Sequence, residues 1–172
     1  MNHNIVMRNI GRWILLMLLQ VLIFNNVYLG GYINPCLYLL FVAMLPTSMG
    51  CIPMMLVAFV TGLCVDVSTN MLGFHTAACT AVGFLRKIWL DNMIVRDNEG
   101  GVETPSFYSV SYQQFAVYLF FLLLIFNLIY YTLVSFSFGE IFQIILKALL
   151  SSLVTFLLAV VYQVLLIRKS EN

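Results

Sequence analysis

Two ionisable residues, Asp66 and His75, stand nine positions apart in a largely apolar stretch, residues 58–90. A carboxylate and an imidazole at this spacing could form the proton path of a proton-coupled carrier, and ionisable side chains inside membrane segments are functional candidates by default. The same pair could instead lock a helical hairpin or contact a partner protein. The choice depends on where the surrounding elements place the two side chains.

The composition of the chain predicts a membrane protein. Of its 172 residues, 62% are hydrophobic and 9% are charged, whereas soluble domains carry roughly 25% charged residues. The apolar residues form long blocks, which is typical of membrane spans. We therefore predict an all-α polytopic membrane protein with a single domain, residues 1–172.

The sequence lacks the motifs that are typical of several kinds of function. The net charge of +1 provides no basic surface for nucleic acid. The four cysteines show no CxxC spacing, and the common nucleophile, zinc and phosphate-binding motifs do not occur. We expect a protein that is not an enzyme and that needs no metal or cofactor.

Six apolar segments are candidate spans, since a span needs about 20 apolar residues or somewhat fewer when neighbours bury its ends. The second and third are short, so residues 33–66 could instead form one span and a re-entrant piece. A polar loop, residues 91–112, follows the fourth. The predicted spans cover about residues 10–27, 34–46, 53–66, 71–90, 113–134 and 140–167.

The positions of the basic residues favour six spans with both termini in the cytoplasm, because cytoplasmic loops are enriched in Lys and Arg. With six spans, the basic groups at the ends of the first, fourth and sixth spans, and the loop 91–112, all fall on the cytoplasmic side. These groups are Arg8 and Arg12, then Arg86, Lys87 and Arg96, then Arg168 and Lys169.

This topology places Asp66 and His75 at the outer rim of a hairpin between the third and fourth spans. Asp66 would stand at the C-terminal end of the third span, where a carboxylate opposes the helix macrodipole and needs another partner, such as the start of the fourth span. Residues 68–70, Ser-Thr-Asn, would supply the turn and the N-cap of the fourth span. His75 would lie one turn inside that span, within reach of Asp66.

Small residues form a face of the fourth span. Gly73, Ala77 and Ala81 recur at steps of four, and such faces let helix backbones approach closely in a membrane. We expect this face to pack inside the bundle, with a partner interface as the alternative. Gly62 extends the closely packed zone into the third span.

Polar residues also share one face of the sixth span, because they recur at steps of three and four. This face fits an interfacial overhang followed by hydroxyl groups that point into the bundle, or a polar groove that receives a partner. Its residues are Glu140, Gln143, Lys147, Ser151 and Thr155.

Residues 62–86 also carry a pattern: G-x-x-x-D, then G-x-H-x-A-A, then an arginine near the end of the next helix. This pattern resembles the rod shape-determining membrane protein MreD family, in particular its versions from Bacteroidota. Cys64 and Val65 depart from the leucines that are usual before the aspartate. The matching positions are Gly62, Asp66, Gly73, His75, Ala77, Ala78 and Arg86.

The resemblance implies a non-catalytic subunit of the bacterial cell-elongation complex in the plasma membrane, required for cell shape and lateral peptidoglycan synthesis. It implies direct binding of the bitopic scaffold MreC, and through it association with MreB, a SEDS-family glycosyltransferase and a class-B transpeptidase. The implied fold is similar to the substrate-binding subunits of energy-coupling-factor vitamin transporters. That similarity leaves a small-molecule binding subunit of a transporter as the alternative function, and a proton-coupled carrier that uses Asp66 as a third hypothesis.

Overall fold

A computed structural model of the chain describes residues 3–26, 33–90, 105, 111–135 and 141–167. This part of the protein is helical and contains no β-strand. A short 3₁₀ turn, Phe24–Asn26, follows the first helix, and a π-helical turn, Gln163–Ile167, follows the last. The helices are α1 His3–Leu22, α2 Leu39–Ala43, α3 Cys51–Thr69, α4 Phe74–Trp89, α5 Tyr112–Ser135 and α6 Ile141–Tyr162.

Four segments within the described residues are long and apolar enough to cross a membrane: Val6–Asn26, Cys51–Thr69, Tyr112–Ser135 and Ile141–Leu165. They indicate a membrane-embedded protein and agree with the first, third, fifth and sixth predicted spans. The fourth predicted span is the 16-residue helix α4, about 24 Å long at 1.5 Å per residue. The count of six spans is therefore not confirmed.

The second predicted span differs most from the structure. Residues 34–46 contain only the five-residue helix α2, and Pro35 and Pro46 lie on either side of it. Proline lacks an amide N–H and restricts the residue before it, so a helix is not expected to continue through Pro35 or past Leu45. The segment is nevertheless deeply buried from Pro35 to Pro46.

Helix α3 continues past its predicted end to Thr69, so Asp66 lies inside the helix, one turn before its end. The helix stops at Asn70, whose left-handed backbone (φ 54°) allows its amide to bond to the Asp66 carbonyl. The hydroxyls of Ser68 and Thr69 donate to the Val65 carbonyl at 2.7 and 2.9 Å. These two residues therefore do not cap α4, contrary to the prediction.

Helices α3 and α4 form a closely packed antiparallel hairpin, and two glycines explain how closely they pack. A Cβ atom at Gly62 would lie 2.6 Å from the Thr76 Cα, and one at Gly83 would lie 2.9 Å from the Ala58 Cβ. Both distances are too short for a side chain. The predicted close packing at Gly62 is therefore confirmed, and Gly83 adds a second contact point that the sequence analysis missed.

Candidate functional site

The centre of the bundle is occupied by residues 33–46, here called the core segment. Its side chains from Cys36 to Leu45 are at most 6% exposed. Most of its backbone lies outside a regular helix, so its amides and carbonyls need partners away from water. Polar side chains from α1, α4, α5 and α6 provide these partners.

The beginning of the core segment is bonded to α1 and α6. Ser151 and Thr155 of α6 accept hydrogen bonds from the amides of Asn34 and Cys36, both at 3.1 Å. Gln20 of α1 accepts from the Leu37 amide at 2.9 Å and donates to the Pro35 carbonyl at 2.9 Å. These bonds replace the helical pairing that this stretch lacks.

His75 contacts the middle of the core segment from the first turn of α4. Its side chain is 2% exposed, and its Nδ1 atom lies 2.9 Å from the hydroxyl oxygen of Tyr38. The ring centroid of Tyr130 lies 4.4 Å from that of the imidazole, and Phe126 stacks against it as well. His75 therefore lies in the first turn of α4, close to the predicted position, and its side chain packs into the bundle.

Arg86 holds the end of the core segment. The prediction placed it among the charges that mark the cytoplasmic surface, but its side chain is 1% exposed. The guanidinium donates to the carbonyls of Ala43 and Leu45 and, at 2.9 Å, to the Tyr118 hydroxyl, which itself donates to Ala43 at 3.0 Å. Since carbonyls at the end of a helix lack partners in the helix itself, Arg86 satisfies those at the end of α2.

Asp66 caps α4 from the neighbouring helix. Its side chain is 3% exposed and accepts hydrogen bonds from the amides of His75 and Thr76, at 3.1 and 2.8 Å, and from the Thr76 hydroxyl at 2.5 Å. Gly73, at the usual capping position, has no side chain and a left-handed backbone (φ 91°). The suggested pairing of Asp66 with the start of the fourth span is therefore correct, and the carboxylate is buried.

The chemistry of these groups is that of structural cross-links. Asp66 bonds to the amide nitrogen of His75, whereas the imidazole bonds to Tyr38. The guanidinium of Arg86 is occupied by carbonyls, a hydroxyl and the Met54 sulfur. In this arrangement the three ionisable side chains fix α3, α4 and the core segment relative to one another.

The small residues of α4 lie on the outside of the hairpin, contrary to the expectation that they pack internally. Ala77 is exposed, and Gly73 and Ala81 are half-buried. They line a shallow groove of about 600 Å³ between α3 and α4, here called the small-residue groove. Its other lining residues are Met55, Phe59, Leu63, Thr76, Thr80 and Phe84.

The polar face of α6 is divided by the structure. Ser151 and Thr155 are buried and bond to the core segment, which agrees with hydroxyl groups pointing into the bundle. Gln143 is exposed and Lys147 is half-buried. Glu140, together with Arg96, Arg168, Lys169 and almost all of the loop 91–112, lies outside the described residues.

Sequence reasoning missed two of the residues that bond to the core segment from other helices, Gln20 and Tyr118. Gln20 and Tyr118 stand in apolar runs, and an isolated hydrogen-bonding side chain in such a run is a usable signal for a buried partner. The two prolines of the core segment, Pro35 and Pro46, were a second signal, because they indicate where a helix in this stretch is interrupted. No family model, curated protein or solved structure matches the chain.

Proposed function

We propose that this protein is a non-catalytic scaffold subunit of the bacterial cell-elongation complex, of the MreD type, needed for cell shape and lateral peptidoglycan synthesis. The proposal starts from the pattern in residues 62–86. Gly62, Asp66, His75 and Arg86 each make a contact that builds the α3–α4 hairpin or anchors the core segment. The residues of this pattern therefore stabilise the fold. This is the role that we expect of them in a scaffold protein.

The single observation that carries the proposal is the filled interior of the bundle. The core segment occupies the centre, and its polar groups are bonded to the surrounding helices. A small-molecule binding subunit needs a pocket with a few convergent polar groups. Three cavities formed by the described residues, of about 280, 380 and 600 Å³, are instead lined mostly by apolar side chains.

We place the contact with MreC in the small-residue groove. MreC-type scaffolds are bitopic, so the partner presents a single transmembrane helix. In lipid, helices associate through close backbone contact at small residues rather than through a hydrophobic drive. Gly73, Ala77 and Ala81 provide such a surface on the outside of the hairpin.

The remaining partners follow from the same proposal. MreB, the SEDS-family glycosyltransferase and the class-B transpeptidase join the complex through MreC. The orientation that we propose keeps both termini in the cytoplasm. Arg8 and Arg12 of α1 support this orientation; Arg86 no longer does, since its charge is buried within the bundle.

The experiment that tests the function is co-purification from membranes in a mild detergent, with mass spectrometry of both proteins and small molecules. Retention of a bitopic MreC-type protein with cell-wall synthases supports the scaffold. Retention of a stoichiometric small molecule, with no wall-synthesis protein, would instead favour the transporter subunit.

Depletion in the source cells gives an independent measurement. Loss of an elongation scaffold should round the cells and reduce lateral wall incorporation of a fluorescent peptidoglycan precursor. Viable depleted cells with normal shape and normal lateral labelling would refute the proposal.

A further inference from the structure

A second cavity lies between α1 and α3 and borders the end of the core segment. It measures about 380 Å³ and opens on the surface of the protein. Its polar lining residues are Asn9 and Thr61, and the Thr61 oxygen accepts a hydrogen bond from the Trp13 indole at 3.1 Å. The apolar walls are formed chiefly by Ile10, Phe41, Leu56, Val57 and Val60.

Asn9 is the unsatisfied member of this lining. Its side chain is 9% exposed, and its Oδ1 atom is buried without a hydrogen-bond partner. An unpaired buried acceptor is costly, so a native protein normally supplies it with a donor. The donor expected here belongs to a molecule that occupies the cavity.

A cationic group with an unsatisfied atom lies beside Asn9. Arg12 is three residues further along α1, which makes the two side chains neighbours on the helix surface. Its Nη1 atom is buried and has no hydrogen-bond partner. Its electrostatic neighbours include Tyr162 and a second arginine, Arg8.

The described part of the chain offers no carboxylate to Arg12. Its one acidic residue, Asp66, is bonded to the start of α4. Asp66 also lies toward the opposite end of α3, where Ser68 contacts Asn25 beyond the far end of α1. An anionic group would complete the environment of Arg12.

We propose that this end of α1 and α3 binds one anionic phospholipid with a hydroxyl-bearing headgroup, such as phosphatidylglycerol. One acyl chain fills the cavity beside Trp13, the phosphate accepts from Arg12 Nη1, and a headgroup hydroxyl donates to Asn9 Oδ1. The depth is suitable, because the apolar span begins at Val6 and Trp13 lies about 10 Å further along the helix. The binding site is independent of the proposed function.

The charge and the polarity of the site together favour a lipid over a partner helix. A transmembrane helix can fill an apolar cavity, but an acyl chain next to a phosphate and a hydroxyl also satisfies both unpaired atoms. Lys and Arg near a membrane surface attract anionic lipids in general. The cavity and Asn9 add a selective element that exposed Arg8 lacks.

The two tryptophans of the chain provide the test. W89F leaves Trp13, in the cavity wall, as the only tryptophan. W13F leaves Trp89, which lies at the end of α4 and packs against Phe121. Each protein is reconstituted in vesicles of unbrominated phosphatidylcholine. A lipid with brominated acyl chains, either phosphatidylglycerol or phosphatidylcholine, is then added in increasing amounts. Half-maximal quenching of Trp13 is expected at a mole fraction of phosphatidylglycerol about tenfold lower than that of phosphatidylcholine. Trp89 should show no such preference.

Variants of the W89F protein assign the preference to the site. N9L and R12Q should each reduce it severalfold, whereas R8Q, which changes an exposed arginine on the same helix, should retain most of it. Equal quenching of Trp13 by the two lipids in the W89F protein would by itself overturn the proposal. A preference that survives in both N9L and R12Q would overturn it as well.

Discussion

Asp66 and Arg86 complement the two ends of the same helix, α4, although only Arg86 belongs to it. The carboxylate accepts from amides of the first turn, and the guanidinium lies in the last turn and reaches the end of α2. A negative charge at a helix N-terminus and a positive charge at its C-terminus both interact favourably with the macrodipole. The two buried charges therefore have separate partners and do not form an ion pair with each other.

Asp66→Ala should destabilise the protein without preventing membrane insertion. The substitution leaves the amides of His75 and Thr76 without an acceptor, at about 1–3 kcal/mol for each buried group. Insertion should persist, because the hydropathy of the spans drives it. The measurement is the midpoint of thermal unfolding in detergent, together with the amount of protein in the membrane fraction.

Ser68→Ala is the matched control for Asp66→Ala, since Ser68 lies on the same turn and bonds only to its own helix and weakly to Asn25. Its unfolding midpoint should stay close to that of the wild type. If Asp66→Ala were equally harmless, the capping role would be wrong.

Arg86→Lys should be far from conservative. A lysine keeps the charge but lacks the planar fork that reaches the Ala43 and Leu45 carbonyls and the Tyr118 hydroxyl together. We expect a loss of about 1–3 kcal/mol for each acceptor that is left unpaired. Accessibility labelling of a cysteine introduced by Met44→Cys would report whether the core segment has loosened.

The same substitution at an exposed position, Arg8→Lys, serves as its control. It should change neither the unfolding midpoint nor the labelling. Equal behaviour of the two variants would show that the buried guanidinium does not anchor the core segment.

Gly62→Ala should force α3 and α4 apart. The new Cβ would meet the backbone of Thr76 at 2.6 Å, and backbone atoms cannot move aside as a side chain can. We expect a lower unfolding midpoint and faster proteolysis of the hairpin. Gly11→Ala is the control, because no atom lies within 4 Å of its new Cβ; it should be neutral or stabilising by up to about 1 kcal/mol. A stable Gly62→Ala protein would contradict the close approach.

Ala77→Leu should separate partner binding from folding. Ala77 is exposed in the small-residue groove, so a larger apolar side chain can be accommodated without disturbing the interior. The unfolding midpoint should be unchanged, while co-purification of the MreC-type partner should fall severalfold. Val161→Leu enlarges an exposed side chain on α6 and should leave both measurements unchanged. Undiminished co-purification with Ala77→Leu would exclude the groove as the contact.

The sequence determined those properties that depend on local composition. Long apolar runs predicted a helical membrane protein, and the approximate positions of α1, α3, α5 and α6 followed from the same pattern. Gly62 as a point of close packing, the start of α4 as a partner of Asp66, and inward-facing Ser151 and Thr155 also followed from residue type and spacing. The resemblance to the MreD family rests on the sequence alone and stays a prediction.

Only the tertiary structure decided how the polar residues are used. Hydropathy measures whether a stretch prefers lipid, but a core segment surrounded by other helices is as apolar as a span, so residues 34–46 could not be distinguished from one. Likewise, an arginine near a helix end marks the membrane surface only when no buried carbonyls are in reach, and those of Ala43 and Leu45 come from a distant part of the chain. The partners of His75 and Arg86, and the exposure of the face that carries Ala77, depend on contacts between helices that no local pattern records.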